Sequence, residues 1–173
     1  MKKILLATFF ICTMFVFSCQ KNTQNPVNDL FISATHVNIN WVATPSTSYN
    51  ASTDTLTIQG FYASTDTLTT QGIYAPVNQF LVIKMKYKGI ATDTLTGTQA
   101  IYYTTDGNGN KTSVYQLDPT QINNVAILGL NPQTSIATGA FYLSFVKVSG
   151  DASLSYKTSF AGGKFWIALP PPL

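Results

Sequence analysis

From Phe80 to Lys88 the chain alternates strictly, with Leu81, Ile83, Met85 and Tyr87 on one side and Lys84, Lys86 and Lys88 on the other. A two-residue period is that of a pleated strand with one face in a core and the other in water. Shorter runs of the same kind recur, separated by turn residues. Leu30 to Thr35 and Ile39 to Ala43 read as a hairpin around His36-Val37-Asn38. Ala100 to Thr105 and Ser113 to Leu117 flank Asp106-Gly107-Asn108-Gly109-Asn110, whose glycines and asparagines tolerate the positive φ angles of a tight turn. Val125 to Leu130 is another strand, closed by Asn131-Pro132. Ala140 to Val148 and Lys164 to Leu169 are late aromatic strands, and Pro170 to Pro172 stop the pairing because proline has no amide proton.

Composition points the same way. The chain contains no glutamate and no arginine. Threonine, serine, asparagine and tyrosine stand where a helix surface would carry Glu, Lys and Arg, and Thr and Tyr favour a pleated, half-buried surface. The expectation is an all-β domain over residues 29–173, an antiparallel β-sandwich of roughly eight to eleven strands. A small closed or partly open β-barrel is the alternative, because it shows the same alternation.

Before this domain, Lys2 and Lys3 precede an apolar run from Ile4 to Phe17 that ends at Ser18-Cys19. At about 1.5 Å per residue the run reaches roughly 21 Å as a helix, short of the roughly 30 Å of a bilayer core. A charged start, an apolar centre and a small residue before cysteine describe a lipoprotein signal peptide, 1–18, cleaved to leave Cys19 as the lipidated first residue. Residues 19–28, polar and aperiodic, read as the tether. Loss of the leader leaves eight lysines against seven aspartates, so the mature protein is close to neutral. A near-neutral, arginine-free, exported chain argues against nucleic acid as partner. With Cys19 acylated and Cys12 removed, no thiol remains for a disulfide or a metal.

A tandem repeat interrupts the strand pattern. Ala51 to Tyr62 is followed at once by a near copy, Ala63 to Tyr74, which differs only at Ile58/Thr70 and Phe61/Ile73. A looser echo runs from Ala91 to Thr96. Two adjacent units are too few for a solenoid, so this is a local duplication of one strand and its turn at 51–74.

Several segments share a further likeness: Phe31-Ile-Ser-Ala34 with Trp41-Val-Ala43, Leu56-Thr-Ile-Gln-Gly60, Gly97-Thr98, Ile136 to Phe145, and Ser159-Phe160-Ala-Gly-Gly163-Lys-Phe165. In these the chain resembles a family of secreted lipoproteins, common in Bacteroidota, that carries an all-β domain of unknown function. The resemblance implies a lipid-anchored β-domain with no catalytic residues to carry over, and the duplicated block departs from the family pattern.

Candidate chemistry is sparse. His36 is the sole histidine, without cysteine or glutamate as co-ligand, and reads as an exposed turn residue. Asp54, Asp66 and Asp93 recur in Thr-Asp-Thr contexts that suit turns better than a pair of catalytic carboxyls. Asp106-x-Asn108-x-Asn110 opens like a calcium loop, but Lys111 and Leu117 stand where Gly and Glu belong, which favours a plain hairpin turn. The Lys84, Lys86 and Lys88 stripe is either an anion site or a solvated face. Aromatics remain, and alternation turns Trp166 away from Phe165 and Ile167.

The expectation is therefore a cell-envelope β-domain, anchored by lipid to a membrane, by preference the outer one. It is expected to act as a non-enzymatic ligand-binding module, with a glycan as ligand, at Trp166, Tyr102 and Tyr142, without metal or cofactor. An assembly lipoprotein pairing with an envelope protein is the alternative. An Asp-based hydrolase ranks third.

Overall fold

The computed structural model describes residues 30–63 and 78–170. Ten strands lie among them: β1 (Phe31–His36), β2 (Ile39–Asn50), β3 (Thr55–Ala63), β4 (Asn78–Lys86), β5 (Ala91–Thr94), β6 (Ala100–Thr105), β7 (Lys111–Leu117), β8 (Asn124–Asn131), β9 (Ile136–Gly150) and β10 (Lys157–Ala168). Eight close into an antiparallel barrel in the order β1-β2-β3-β4-β6-β7-β9-β10, and β10 returns to β1. The all-β expectation holds, and of the two architectures expected it is the alternative, the small closed barrel, that forms in place of the sandwich. The first and last strands pair along Phe31↔Trp166 to His36↔Phe160, which rolls one sheet shut instead of stacking two. Outside the barrel, β8 pairs with β9 and β5 with β8, forming a short flap.

Alternation sets the inner face. Leu81, Ile83 and Met85 of β4 are buried and Lys84 and Lys86 exposed. The interior is filled by Trp41, Tyr102, Phe145, Phe160 and Phe165 among aliphatic neighbours. Two cross-strand pairs make room for the rings where β9 meets β10. Gly139 lies opposite Phe165, and Gly163 opposite Phe141. A Cβ on Gly139 would come 2.0 Å from Phe165 Cζ, and one on Gly163 would come 2.4 Å from Phe141 Cε2, so each ring lies over the glycine facing it.

His36 departs from its expected exposure. It is the last residue of β1 and an inward position, 4% exposed. Its ring stacks on Phe160 at 4.2 Å and meets the Tyr102 ring edge-on at 5.0 Å. Its Nδ1 bonds to the Ser159 carbonyl at 3.1 Å. Burial disfavours its charged form and lowers its pKa, the Ser159 bond opposing in part. The two-residue turn after it, Val37 and Asn38 at φ 49° and 62°, keeps His36 under the barrel wall. A valine there is strained, and Val37 is 70% exposed.

β2 runs beyond the expected Ala43 to Asn50, through Pro45. Its pairing with β1 ends at Ile32↔Ala43, so a residue without N–H at position 45 removes no bond on that side. The first repeat copy supplies the turn at 51–54 and strand β3. The second copy, including Asp66, falls largely outside the described residues. The wall is continuous without it, because β3 and β4 pair directly from Thr55↔Lys86 to Ala63↔Asn78. Asp106 makes the expected turn, its carboxylate accepting from the amides of Asn108 (2.9 Å) and Asn110 (2.8 Å). Cys19 and the leader lie outside the described residues.

Substituting Gly139→Ala tests the β9–β10 packing. The new methyl meets both Phe165 and the Ala126 carbonyl oxygen, the latter at 2.2 Å, a backbone atom with little freedom to retreat. Urea unfolding is expected to show a loss of about 3 kcal/mol, the upper end of overpacking costs, and an unchanged midpoint would refute the close approach.

Candidate binding site

β9 has neighbours on both edges, and on one edge the neighbour changes. Residues up to Tyr142 pair with β8, and Phe145 onward pair with β7. Between them Ser144 lacks a strand partner on that side. The connection 118–123 fills the gap: the Asp118 amide donates to the Ser144 carbonyl at 2.8 Å, and the Ser144 amide donates to Asn123 Oδ1 at 2.7 Å. The Asn123 side-chain nitrogen in turn bonds to the carbonyls of Asp118 and Gln121, both at 3.1 Å. An amide side chain thus continues the ladder where the backbone leaves off.

Asp118 anchors this connection. One carboxylate oxygen accepts from the Thr120 amide and hydroxyl (2.9 and 2.7 Å), and the other accepts from Lys157 Nζ at 2.9 Å. The Lys157 bond, followed by those from Thr120, lowers the Asp118 pKa to about 2. Asp118-Pro119-Thr120 is an Asp-Pro turn signal legible in the sequence, but its place beside β9 was not.

This connection borders a cleft of about 250 Å³ with Gln121, Tyr142, Ser144, Lys157 and Thr158 on its walls. Tyr142, on the outer face of β9, is 45% exposed there. A second cleft, of about 340 Å³, lies at the start of β9 on the outer face, between Leu130, Asn131, Thr134, Ile136, Thr138 and Trp166. Its shape follows from local chemistry. The β8–β9 register shifts between Ile127 and Gly129, leaving Leu128 exposed and Gly129 opposite Thr138. A Cβ on Gly129 would stand 2.7 Å from Thr138 Oγ1. The Asn131 carboxamide oxygen accepts from the amides of Gln133 (3.0 Å) and Thr134 (3.3 Å), which folds the turn and leaves the side-chain NH2 to bond outward.

Trp166 points outward as alternation requires and is 39% exposed. Phe31 lies opposite it on β1, but among the described residues no aromatic ring stacks on it, in contrast to a ladder elsewhere on the wall. Phe61, Phe80 and Tyr103 stand in register on β3, β4 and β6 with centroids 5.0 and 4.7 Å apart. Phe80 and Tyr103 are parallel, and Lys111 Nζ lies 4.7 Å from the Tyr103 centroid. That ladder spends its faces on itself. Trp166 keeps a face for a ligand.

Tyr102 does not join the other two. It is 4% exposed, in the core against Phe160, Tyr115 and His36, and burial raises its pKa. Tyr102 and Tyr103 are adjacent, so alternation required one to point inward without saying which. The remaining candidates are occupied locally. Asp54 accepts from the Tyr49 hydroxyl at 2.6 Å, and Lys88, though exposed, pairs with Asp93 at 2.7 Å, so that Lys84 and Lys86 are the lysines of the stripe outside the ion pairs among the described residues. Among the described residues no three His, Cys, Asp or Glu side chains gather as metal ligands, and no helix is long and apolar enough to cross a membrane.

No protein-family model matches this chain, and it matches no curated protein and no solved structure.

The lowered Asp118 pKa carries a sign. A carboxylate more acidic in the folded state stabilises it at pH values above its unfolded pKa, and that contribution is lost as pH falls from about 4 toward 2. Melting temperature should drop over this interval, and Asp118→Asn should flatten the drop. An equally steep acid limb in the variant would place the cause elsewhere.

Proposed function

We propose that this chain is a lipid-anchored envelope protein whose barrel is a non-enzymatic glycan-binding module, with the Trp166 cleft as its site. One observation carries this reading: Trp166 is an outward tryptophan with no aromatic ring of the described residues stacked on it, at the edge of an open cleft with an amide and hydroxyls around it. A sugar ring offers an apolar face to such an indole and hydroxyls to the amide of Asn131 and the hydroxyls of Thr134 and Thr138. The filled interior turns attention to the outer wall, since Trp41, Phe145, Phe160 and Phe165 occupy the space in which other small barrels hold a ligand.

A hydrolase that uses aspartates alone draws less support. Asp118 is tied to Lys157 and Thr120, Asp93 to Lys88, Asp54 to Tyr49, and Asp106 to its own turn.

A glycan array probed with the detergent-solubilised full chain tests binding. Trp166→Ala is expected to lower affinity for any bound glycan about tenfold, the value of one lost aromatic contact. Unchanged affinity would sink the assignment.

The anchor is read from the charged, apolar leader ending at Ser18-Cys19, with the outer membrane as the preferred address. Cells given radiolabelled palmitate should label the protein, and Cys19→Ala should abolish the label and release the protein from membranes. Persistent labelling of the variant would show another attachment point.

A further inference from the structure

We propose that the two clefts are the ends of one track along β9 and β10 that holds an acidic oligosaccharide, with Lys164 selecting its negative charge. The proposal rests on the glycan reading of Trp166 and goes beyond it in naming a ligand class and a second contact region.

The strand register carries the geometry. Trp166 lies opposite Thr138, and Lys164 opposite Ala140. Tyr142 follows two residues on, on the same outer face of β9. At about 3.4 Å per residue the rows of Trp166 and Tyr142 are roughly 14 Å apart, with the Lys164 row midway. The ground between the clefts is low, because Ala140 faces Ala126 of β8 on its other side and neither side chain is long enough to form a wall. The track follows the strand direction, along which a barrel wall does not curve away as it does around its girth.

Charge completes the case. Lys164 is exposed and takes no part in the two ion pairs among the described residues, Lys88–Asp93 and Lys157–Asp118. The outward neighbours Asn124, Ala126, Thr138, Ala140 and Ser33 include no acidic residue. The single aspartate on the track, Asp118, already has Lys157 and Thr120 on its oxygens. A neutral sugar chain could take only hydrogen bonds from this ammonium, which stands between two aromatic contacts. A uronic acid carboxylate supplies its counter-charge, while rings on either side rest on Trp166 and Tyr142.

Calorimetry of the full chain in detergent, with hexagalacturonate and its fully methyl-esterified form as probes, tests this. The parent protein should prefer the acid form, and the preference should shrink at high salt. Lys164→Gln should weaken hexagalacturonate about threefold to fivefold, as for an exposed ion pair, and leave the ester unchanged. Tyr142→Ala should weaken the hexamer and leave digalacturonate unchanged. Equal binding of acid and ester by the parent, or no binding of hexagalacturonate, overturns the inference. If Trp166→Ala still weakens both forms in the equal-binding case, the glycan reading survives that loss. If Trp166→Ala changes nothing, the glycan reading falls as well.

Discussion

The barrel depends on how β9 and β10 approach each other. Two Gly-x-Phe triplets, Gly139-Ala140-Phe141 and Gly163-Lys164-Phe165, run antiparallel so that each phenylalanine covers the glycine of the other. Large rings on both strands at one level would force them apart, and small residues on both would leave a void. The crossed arrangement gives each of the two rows one ring, and the strands stay paired without a break from Gly163↔Phe141 to Ala168↔Ile136. Because β10 also carries the pairing to β1, this contact supports the seam at which the sheet closes.

β9 is the axis around which the rest is arranged. This fifteen-residue strand pairs with β10 from Ile136 to Val146 along one edge and with β8 and β7 in succession along the other. The change of neighbour leaves backbone groups of Ser144 to be satisfied by Asp118 and Asn123, and the connection that does so builds one cleft. The bulge at Leu128 and the Asn131 turn, where β8 gives way to β9, shape the other. Both candidate regions are therefore by-products of how one long strand is shared.

Val37 stands apart from this economy. A β-branched residue in a left-handed turn conformation, with its side chain in water, gives up backbone energy without burying anything. The packing of the described residues offers no reason for it.

Much of this was legible in the residues themselves. The alternation of Phe80 to Lys88, the Asp106 turn and the outward face of Trp166 follow from a two-residue period and from turn chemistry, which are local properties of the chain. Period alone also determined that of Tyr102 and Tyr103 one would be inside. Which one, and whether the sheet would stack or close, depended on pairing between strands far apart in sequence, above all β1 with β10. The burial of His36 against Phe160 and the union of Asp118, Asn123 and Ser144 rest on the same long-range register. A strand's pattern states which residues share a face; only its neighbours decide what that face meets.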